Sequence, residues 1–155
     1  MRDEAPGGET SLPCPGLMRV LLWLALSTAA AAMPAAGEHE VFYRYTVLGY
    51  VKDAAGKPRE GQTVQLTRDK TGFSYLGETD ASGLFVIVAR LGDESAGESL
   101  TVRLGALRLG IVARFEAANH TDERGTRVDV EGGRFVERPA WFRSTLVKLL
   151  TAPRP

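Results

Sequence analysis

The feature that most constrains this chain is a period of two. From residue 41 onward apolar and polar side chains alternate in short runs, broken by glycine-centred turns. Alternation of this kind places one set of side chains on each face of an extended strand. In VFYRYTVLGYVK (41–52) one face carries Tyr43, Tyr45, Val47, Gly49 and Val51, and the other Phe42, Arg44, Thr46, Leu48, Tyr50 and Lys52. The run 53–58 is a turn in which Gly56 supplies a positive φ and Pro58 restarts the chain. Residues 62–68 then point Val64 and Leu66 inward, residues 73–79 form a weaker strand, and 80–83 turn into LFVIVAR. That strand (84–90) is apolar on both faces, which predicts a central strand covered on both sides.

The second half repeats the pattern. Leu100, Val102 and Leu104 alternate, as do Leu107, Leu109, Ile111, Ala113 and Phe115. A polar loop over 117–125 leads to strands at 126–130 and 135–137 around Gly132-Gly133. About eight short strands at spacings of roughly 8–12 residues argue for an all-β, antiparallel Greek-key sandwich of seven to eight strands. No helical period occurs before the last fifteen residues or so.

Ahead of the strands the composition changes. Val20–Met33, VLLWLALSTAAAAM, is apolar apart from Ser27 and Thr28, follows Arg19 and leads into small residues up to Gly37. A basic start, an apolar stretch and a small-residue exit describe a secretory signal segment. Pro34 and Glu38 cut the stretch shorter than a membrane-spanning helix needs. Starting at Met1 would put Asp3, Glu4 and Glu9 ahead of the apolar stretch, whereas starting at Met18 leaves only Met-Arg, so Met18 is the expected start. Cleavage is expected after Ala30-Ala31-Ala32 or Ala35-Ala36-Gly37, the latter leaving a chain that begins at Glu38. The expected organisation is a signal region over 1–37, a sandwich over 38–138 and a C-terminal amphipathic segment over 139–155. The protein is therefore expected to be exported, periplasmic or extracellular, and possible association with the envelope follows from an uncleaved signal segment or the tail.

The only cysteine, Cys14, leaves with the signal segment, so the mature chain holds no disulfide, thiolate nucleophile or cysteine metal ligand. Past residue 37 there remain 17 basic and 16 acidic residues, a balance that offers no electrostatic footprint for nucleic acid.

Four motifs come in order over 45–91: Val47-x-Gly49-x-Val51, Asp53-x-x-Gly56-x-Pro58, Gly61-x-x-Val64-x-Leu66 and Gly77-x-Thr79-Asp80-x-x-Gly83-x-Phe85. Together they resemble the carboxypeptidase regulatory-like domain, a transthyretin-like sandwich of seven or eight strands. The resemblance stops at residue 92, where a polar loop, Gly92 to Glu98, replaces the Pro-Gly turn usual in that family. It implies an accessory module beside enzymes, receptors or adhesins, with some relatives grouped among carbohydrate-binding-like folds. Fold likeness does not assign a function.

Chemistry is sparse. Asp53, Asp80, Asp93 and Glu94 could be read as calcium ligands, but Asp80 to Gly83 reads as a turn in which the aspartate caps its own reversal. His120 sits in the 117–125 loop beside Asp122 with no identifiable serine nucleophile, and is expected to be a solvated loop residue. His39 would ligate metal only as a free N-terminus, which cleavage after Glu38 makes unfavourable. Asn119-His120-Thr121 is a glycosylation acceptor in a eukaryotic secretory pathway. The reading is of a non-enzyme, with no catalytic residue, cofactor or metal.

Two places could bind. The outer face of the first strand offers Phe42, Arg44 and Tyr50, unless a neighbouring segment covers it. Residues 139–152, PAWFRSTLVKLLTA, have helical spacing between Pro139 and Pro153, with a stripe of Phe142, Leu146, Leu149 and Leu150 and with Trp141 beside it. That helix packs on the sandwich, binds a partner or membrane surface, or frays. Phe42, Arg44, Tyr50, Trp141 and Phe142 are thus the expected ligand or partner surface. The leading expectation is a protein-binding accessory module of the cell envelope, the alternatives being a carbohydrate-binding module and a membrane-tethered structural subunit.

Overall fold

The structure, a computed structural model, describes residues 42–152. The expected signal segment, its cleavage points, Met18, Cys14 and His39 lie outside the described residues. Within them the turns read from sequence separate eight strands: β1 (Tyr43–Tyr50), β2 (Thr63–Arg68), β3 (Ser74–Glu78), β4 (Leu84–Leu91), β5 (Ser99–Leu104), β6 (Leu107–Val112), β7 (Arg124–Glu131) and β8 (Arg134–Glu137). They form two four-stranded sheets, in the orders β4-β1-β7-β8 and β3-β2-β5-β6.

The two sheets share one core. Tyr45, Val47, Phe85, Ile87 and Val128 from the first meet Val64, Leu66, Leu100 and Val102 from the second, all buried. The strands set these residues two apart, so one face of each sheet packs against the other and the architecture is sandwich-like. The turns that hold the registers are capped as expected. The Asp80 carboxylate accepts hydrogen bonds from the Ser82 N–H (2.8 Å), the Leu84 N–H (3.0 Å) and the Ser82 hydroxyl (2.6 Å). Gly83 completes that reversal at φ +77°, where an added Cβ would lie 2.6 Å from the Val51 carbonyl oxygen.

Two expectations about the strands are corrected. The first sheet is not wholly antiparallel, because β1 and β7 run parallel with Tyr45 beside Arg124 and Leu48 beside Arg127. A parallel pair needs a long crossover, here the whole second sheet between β1 and β7, and alternation carries no information about strand direction. β4, apolar on both faces, is not central but an edge strand, and its outer Val86 and Val88 are 38% and 45% exposed. The strand covered on both sides is β1, whose residues 45–49 are all buried.

What covers β1 and β7 from outside is the C-terminal segment. A 3-10 turn at Pro139–Trp141 leads into helix α1 (Phe142–Thr151), so Pro139 opens the turn rather than the helix itself. Phe142 and Thr145 face the sheet, with Leu146 and Leu149 half-buried, while Val147 and Leu150 stay exposed. The buried stripe thus includes Thr145 in place of the expected Leu150. Its contact with the sheet requires Gly125, because a Cβ there would overlap the Thr46 carbonyl oxygen and the Phe142 ring. Among the described residues no helix is long and apolar enough to cross a membrane.

At the far edge of the first sheet, β3 runs beside β4. An added Cβ on Gly77 would lie 2.7 Å from Ile87 Cγ1, and the Tyr75 hydroxyl donates to the Arg90 carbonyl (3.3 Å) while accepting from the Arg90 N–H (3.2 Å).

Candidate functional site

Strand β7 organises two charged clusters. Val128 and Val130 point into the core, so Arg127, Asp129 and Glu131 share the outer face under the C-terminal segment. Asp129 is the centre of the first cluster, with its side chain 1% exposed. Its carboxylate accepts from the Tyr50 N–H (3.0 Å), from Arg127 Nε (3.0 Å to each oxygen) and from Arg138 Nη1 (2.7 Å). Arg138 also grips Glu131 through both terminal nitrogens at 2.9 Å. That grip holds the Glu131 carboxyl below its usual value and raises the Arg138 guanidinium above its own. Arg127 Nη1 donates to Thr145 Oγ1 of α1 at 2.9 Å, which ties helix to sheet.

These guanidinia serve as faces for aromatic rings. Arg127 lies over Tyr50 (5.1 Å) and over Trp141 (5.3 Å), and Arg138 lies over Trp141 (5.0 Å). Trp141 is thus held against two cations whose positions the buried carboxylate fixes, yet it remains 52% exposed. Beside it runs a groove of about 590 Å³ lined by Tyr50, Lys52, Pro58, Ser82, Arg127, Ser144, Thr145 and Lys148.

The second cluster is built the other way round, on a buried cation. Arg124 has a side chain 5% exposed and donates through Nη2 to Asp93 (3.1 Å) and to the carbonyls of Ala117 (3.1 Å) and Asn119 (2.9 Å). Its guanidinium lies 4.6 Å from the Tyr43 ring and 4.3 Å from the Phe115 ring, while its Nη1 is buried without a hydrogen-bond partner. Asp93 also meets His120 Nε2 at 2.8 Å, and the His120 ring stacks on Tyr43 with centroids 4.4 Å apart. The hydrogen bond from His120, and after it the one from Arg124, holds the Asp93 carboxyl below its usual value. Two cavities of about 480 and 150 Å³ adjoin Arg124.

His120 stays exposed, at 44%, as its loop suggested, but the carboxylate it meets is Asp93 rather than Asp122. Its ring is hydrogen-bonded to Asp93 and stacked on Tyr43, and Asp122 is taken by Arg143 at 2.7 Å. The aspartate–histidine pair resembles half of a nucleophile-activating relay, but among the described residues no serine or threonine hydroxyl hydrogen-bonds the ring. Among those residues no group of three or more His, Cys, Asp and Glu side chains is placed to hold a metal ion.

Of the expected surface residues, Tyr50 and Trp141 come together around Arg127. Phe42 (45% exposed) and Arg44 lie at the start of β1, Arg44 lining the smaller cavity beside Tyr43 and His120. Phe142 is corrected: it is 3% exposed and seals α1 onto Gly125, so it offers nothing to a partner. Of the residues that organise both clusters, Arg124, Arg127, Asp129 and Arg138 were not singled out as binding residues, and Asp93 was weighed only as a calcium ligand. The signal lay in RVDVE (127–131), where charge alternates with valine on a strand whose outer face would otherwise meet water.

No protein-family model and no curated protein matches the chain. Solved structures resemble it distantly. The dioxygenase domain of a dioxygenase carbohydrate-binding protein fusion from the cellulolytic bacterium Streptomyces sp. SirexAA-E aligns over 64% of this chain and 79% of its own, at 19% identity and a TM-score of 0.37. For chlorocatechol 1,2-dioxygenase from Pseudomonas putida the alignment covers 62% of this chain and 60% of that one, at 13% identity and a TM-score of 0.35. A 9R-lipoxygenase from Cyanothece PCC8801 aligns over 78% of this chain but only 21% of its own, at 12% identity and a TM-score of 0.34. Likenesses at these TM-scores carry no argument about chemistry.

Proposed function

We propose that this chain is an exported, non-catalytic Greek-key module of the carboxypeptidase regulatory-like kind, which binds a protein partner at the cell envelope through the face around Trp141. The observation that carries the reading is the state of Trp141 itself. An indole 52% exposed is unusual ballast for a small domain, and this one is held against Arg127 and Arg138. Rigid exposed aromatics flanked by arginine are the residue types that dominate binding energy at protein interfaces. Their geometry is set in advance by Asp129, which lowers the ordering cost of association.

The test is quantitative capture from an envelope extract with the immobilised full chain. One defined protein should be retained by the parent and lost by Trp141→Ala, with the melting temperature of the variant unchanged. Equal capture by both proteins refutes the reading. Export is tested by the mass of the mature N-terminus, which should begin between Met33 and Glu38.

A carbohydrate-binding reading draws on a separate place, the cavity of about 480 Å³. Arg114, Glu116, Asn119, Asp122 and Arg143 line it with planar groups of both signs beside the Phe115 ring. Chemical-shift changes at these residues, and not around Trp141, on adding soluble oligosaccharides would favour it.

A further inference from the structure

The cations beside Trp141 can be sorted by whether a carboxylate already holds them. Arg127 and Arg138 are bound to Asp129, Arg138 is bound again to Glu131, and Arg143 is bound to Asp122. Lys52 and Lys148 have no such partner among the described residues, and both line the single groove of about 590 Å³ next to Trp141. One lies two residues past the end of β1 and the other on α1, so the two lysines reach the groove from separate segments. No acidic residue lines it. The nearby acids are committed elsewhere: Asp80 to its own turn, Glu131 to Arg138, and Asp129 beneath the guanidinia.

The hydroxyls of the groove narrow the ligand further. Thr145 Oγ1 donates to the Trp141 carbonyl (2.7 Å), Ser144 Oγ donates to the same oxygen (3.1 Å), and Ser82 Oγ donates to Asp80 (2.6 Å). Their protons are spent. Arg127 already faces a carboxylate, meeting Asp129 through Nε and Nη2, and it meets Thr145 through Nη1. The cations left without a carboxylate are the two lysines, since the fork of Arg127 is already turned to Asp129. Separated point charges beside a flat apolar ring suit separated carboxylates on an extended chain.

We infer that the groove takes an acidic segment of the partner protein, with Asp or Glu carboxylates on Lys52 and Lys148 and an apolar side chain against Trp141. This rests on the protein-binding reading above and specifies the chemistry of the partner.

The experiment uses the full chain, isothermal titration and three probes: a capped oligoglutamate peptide, its oligoglutamine counterpart, and phosphatidylcholine vesicles with or without phosphatidylglycerol. Oligoglutamate should bind, oligoglutamine should not, and binding should weaken as salt rises. The double variant K52A/K148A should lose about fivefold to tenfold in affinity, the scale of two exposed ion pairs. K52R/K148R should retain it, and K52E/K148E should prefer oligolysine, all with the parental melting temperature. Oligoglutamate binding that ignores these substitutions, or fails to occur, overturns the inference. Lysine-dependent binding only to vesicles containing phosphatidylglycerol also overturns it and assigns the groove to a lipid surface. The two readings separate cleanly. Partner capture that still needs Trp141 while oligoglutamate fails removes only the acidic ligand, whereas oligoglutamate binding with capture indifferent to Trp141 removes the protein-binding face.

Discussion

Two charged clusters sit on one strand five residues apart, and they are built as opposites. Around Asp129 the carboxylate is buried and the arginines are partly open, at 22% exposure for Arg138 and 18% for Arg127. Around Arg124 the guanidinium is buried and its acid, Asp93, is 40% exposed. Every oxygen of Asp129 has a donor, whereas Arg124 keeps one nitrogen without a partner. The difference lies in what each cluster fastens. Asp129 joins the end of β1, the middle of β7 and the junction ahead of α1, so it closes the fold. Arg124 joins two loops, 92–98 and 117–123, that the sheets would hold nearby in any case. A buried ion is stabilising only when its remaining hydrogen-bonding capacity is met, and the first cluster meets that condition better than the second.

The largest expected effect comes from removing the centre of the complete cluster. Asp129→Ala leaves Arg127 and Arg138 facing each other across a dry gap and should cost ~3–5 kcal/mol in urea melts. Trp141 emission should shift to the red as its clamp loosens. A cost no larger than that of an ordinary surface substitution would break the comparison at its strong end.

Between the clusters lies Gly125, whose missing Cβ admits Phe142. Gly125→Val should cost about 1–3 kcal/mol by overpacking and should raise amide exchange along Phe142–Thr151 more than in β2 or β5. Uniform exchange throughout would show that α1 is not a separable layer.

Arg124→Met tests the weak end. The variant fills the same space, leaves Asp93 in water with His120, and removes the unpartnered nitrogen, so stability should move by less than ~1 kcal/mol in either direction. A loss matching that of Asp129→Ala would mean that the two clusters are equivalent and that the inverse construction teaches nothing.

The smallest effect is expected in the acid limb. The hydrogen bonds from Arg138 hold Glu131 below its ordinary value of 4.5, and those from His120 and then Arg124 hold Asp93 below 3.8. Carboxyls depressed in the folded state add stability that is complete above the unfolded value and is lost as pH falls through the folded one. Urea melts at stepped pH should therefore weaken below about pH 4.5 for Glu131 and at still lower pH for Asp93. Arg138→Gln should flatten the upper part of that limb and His120→Gln the lower part. A profile identical in all three proteins would contradict both assignments.

Much of the fold was legible because its punctuation is local. Asp80 and Gly83 announce their reversal within four residues, and the strands on either side begin within a residue or so of where alternation places them. Strand order was not legible, since LFVIVAR is the more apolar on both faces and yet it is the strand with Thr46 and Leu48 that lies beneath the C-terminal segment. The clusters were hidden for a related reason. His120 and Asp93 stand 27 residues apart, and Tyr50 and Asp129 stand 79 apart. Neither pairing has any local periodicity to betray it. Trp141 was legible as a binding residue by type, but the arginines that hold it could be placed only once β7 was known to lie under the tail.

The phenol of Tyr75 has one more consequence. By donating to the carbonyl of Arg90 and accepting from its amide, it occupies, at that one position, backbone groups through which β4 could recruit another strand. A free edge of that kind is a template for end-to-end polymerisation and for ligands that bind by extending a sheet. With Tyr75 in place, an incoming chain would first have to displace a covalently tethered competitor, so the molecule is steered toward recognition across its faces and away from growth along its rim.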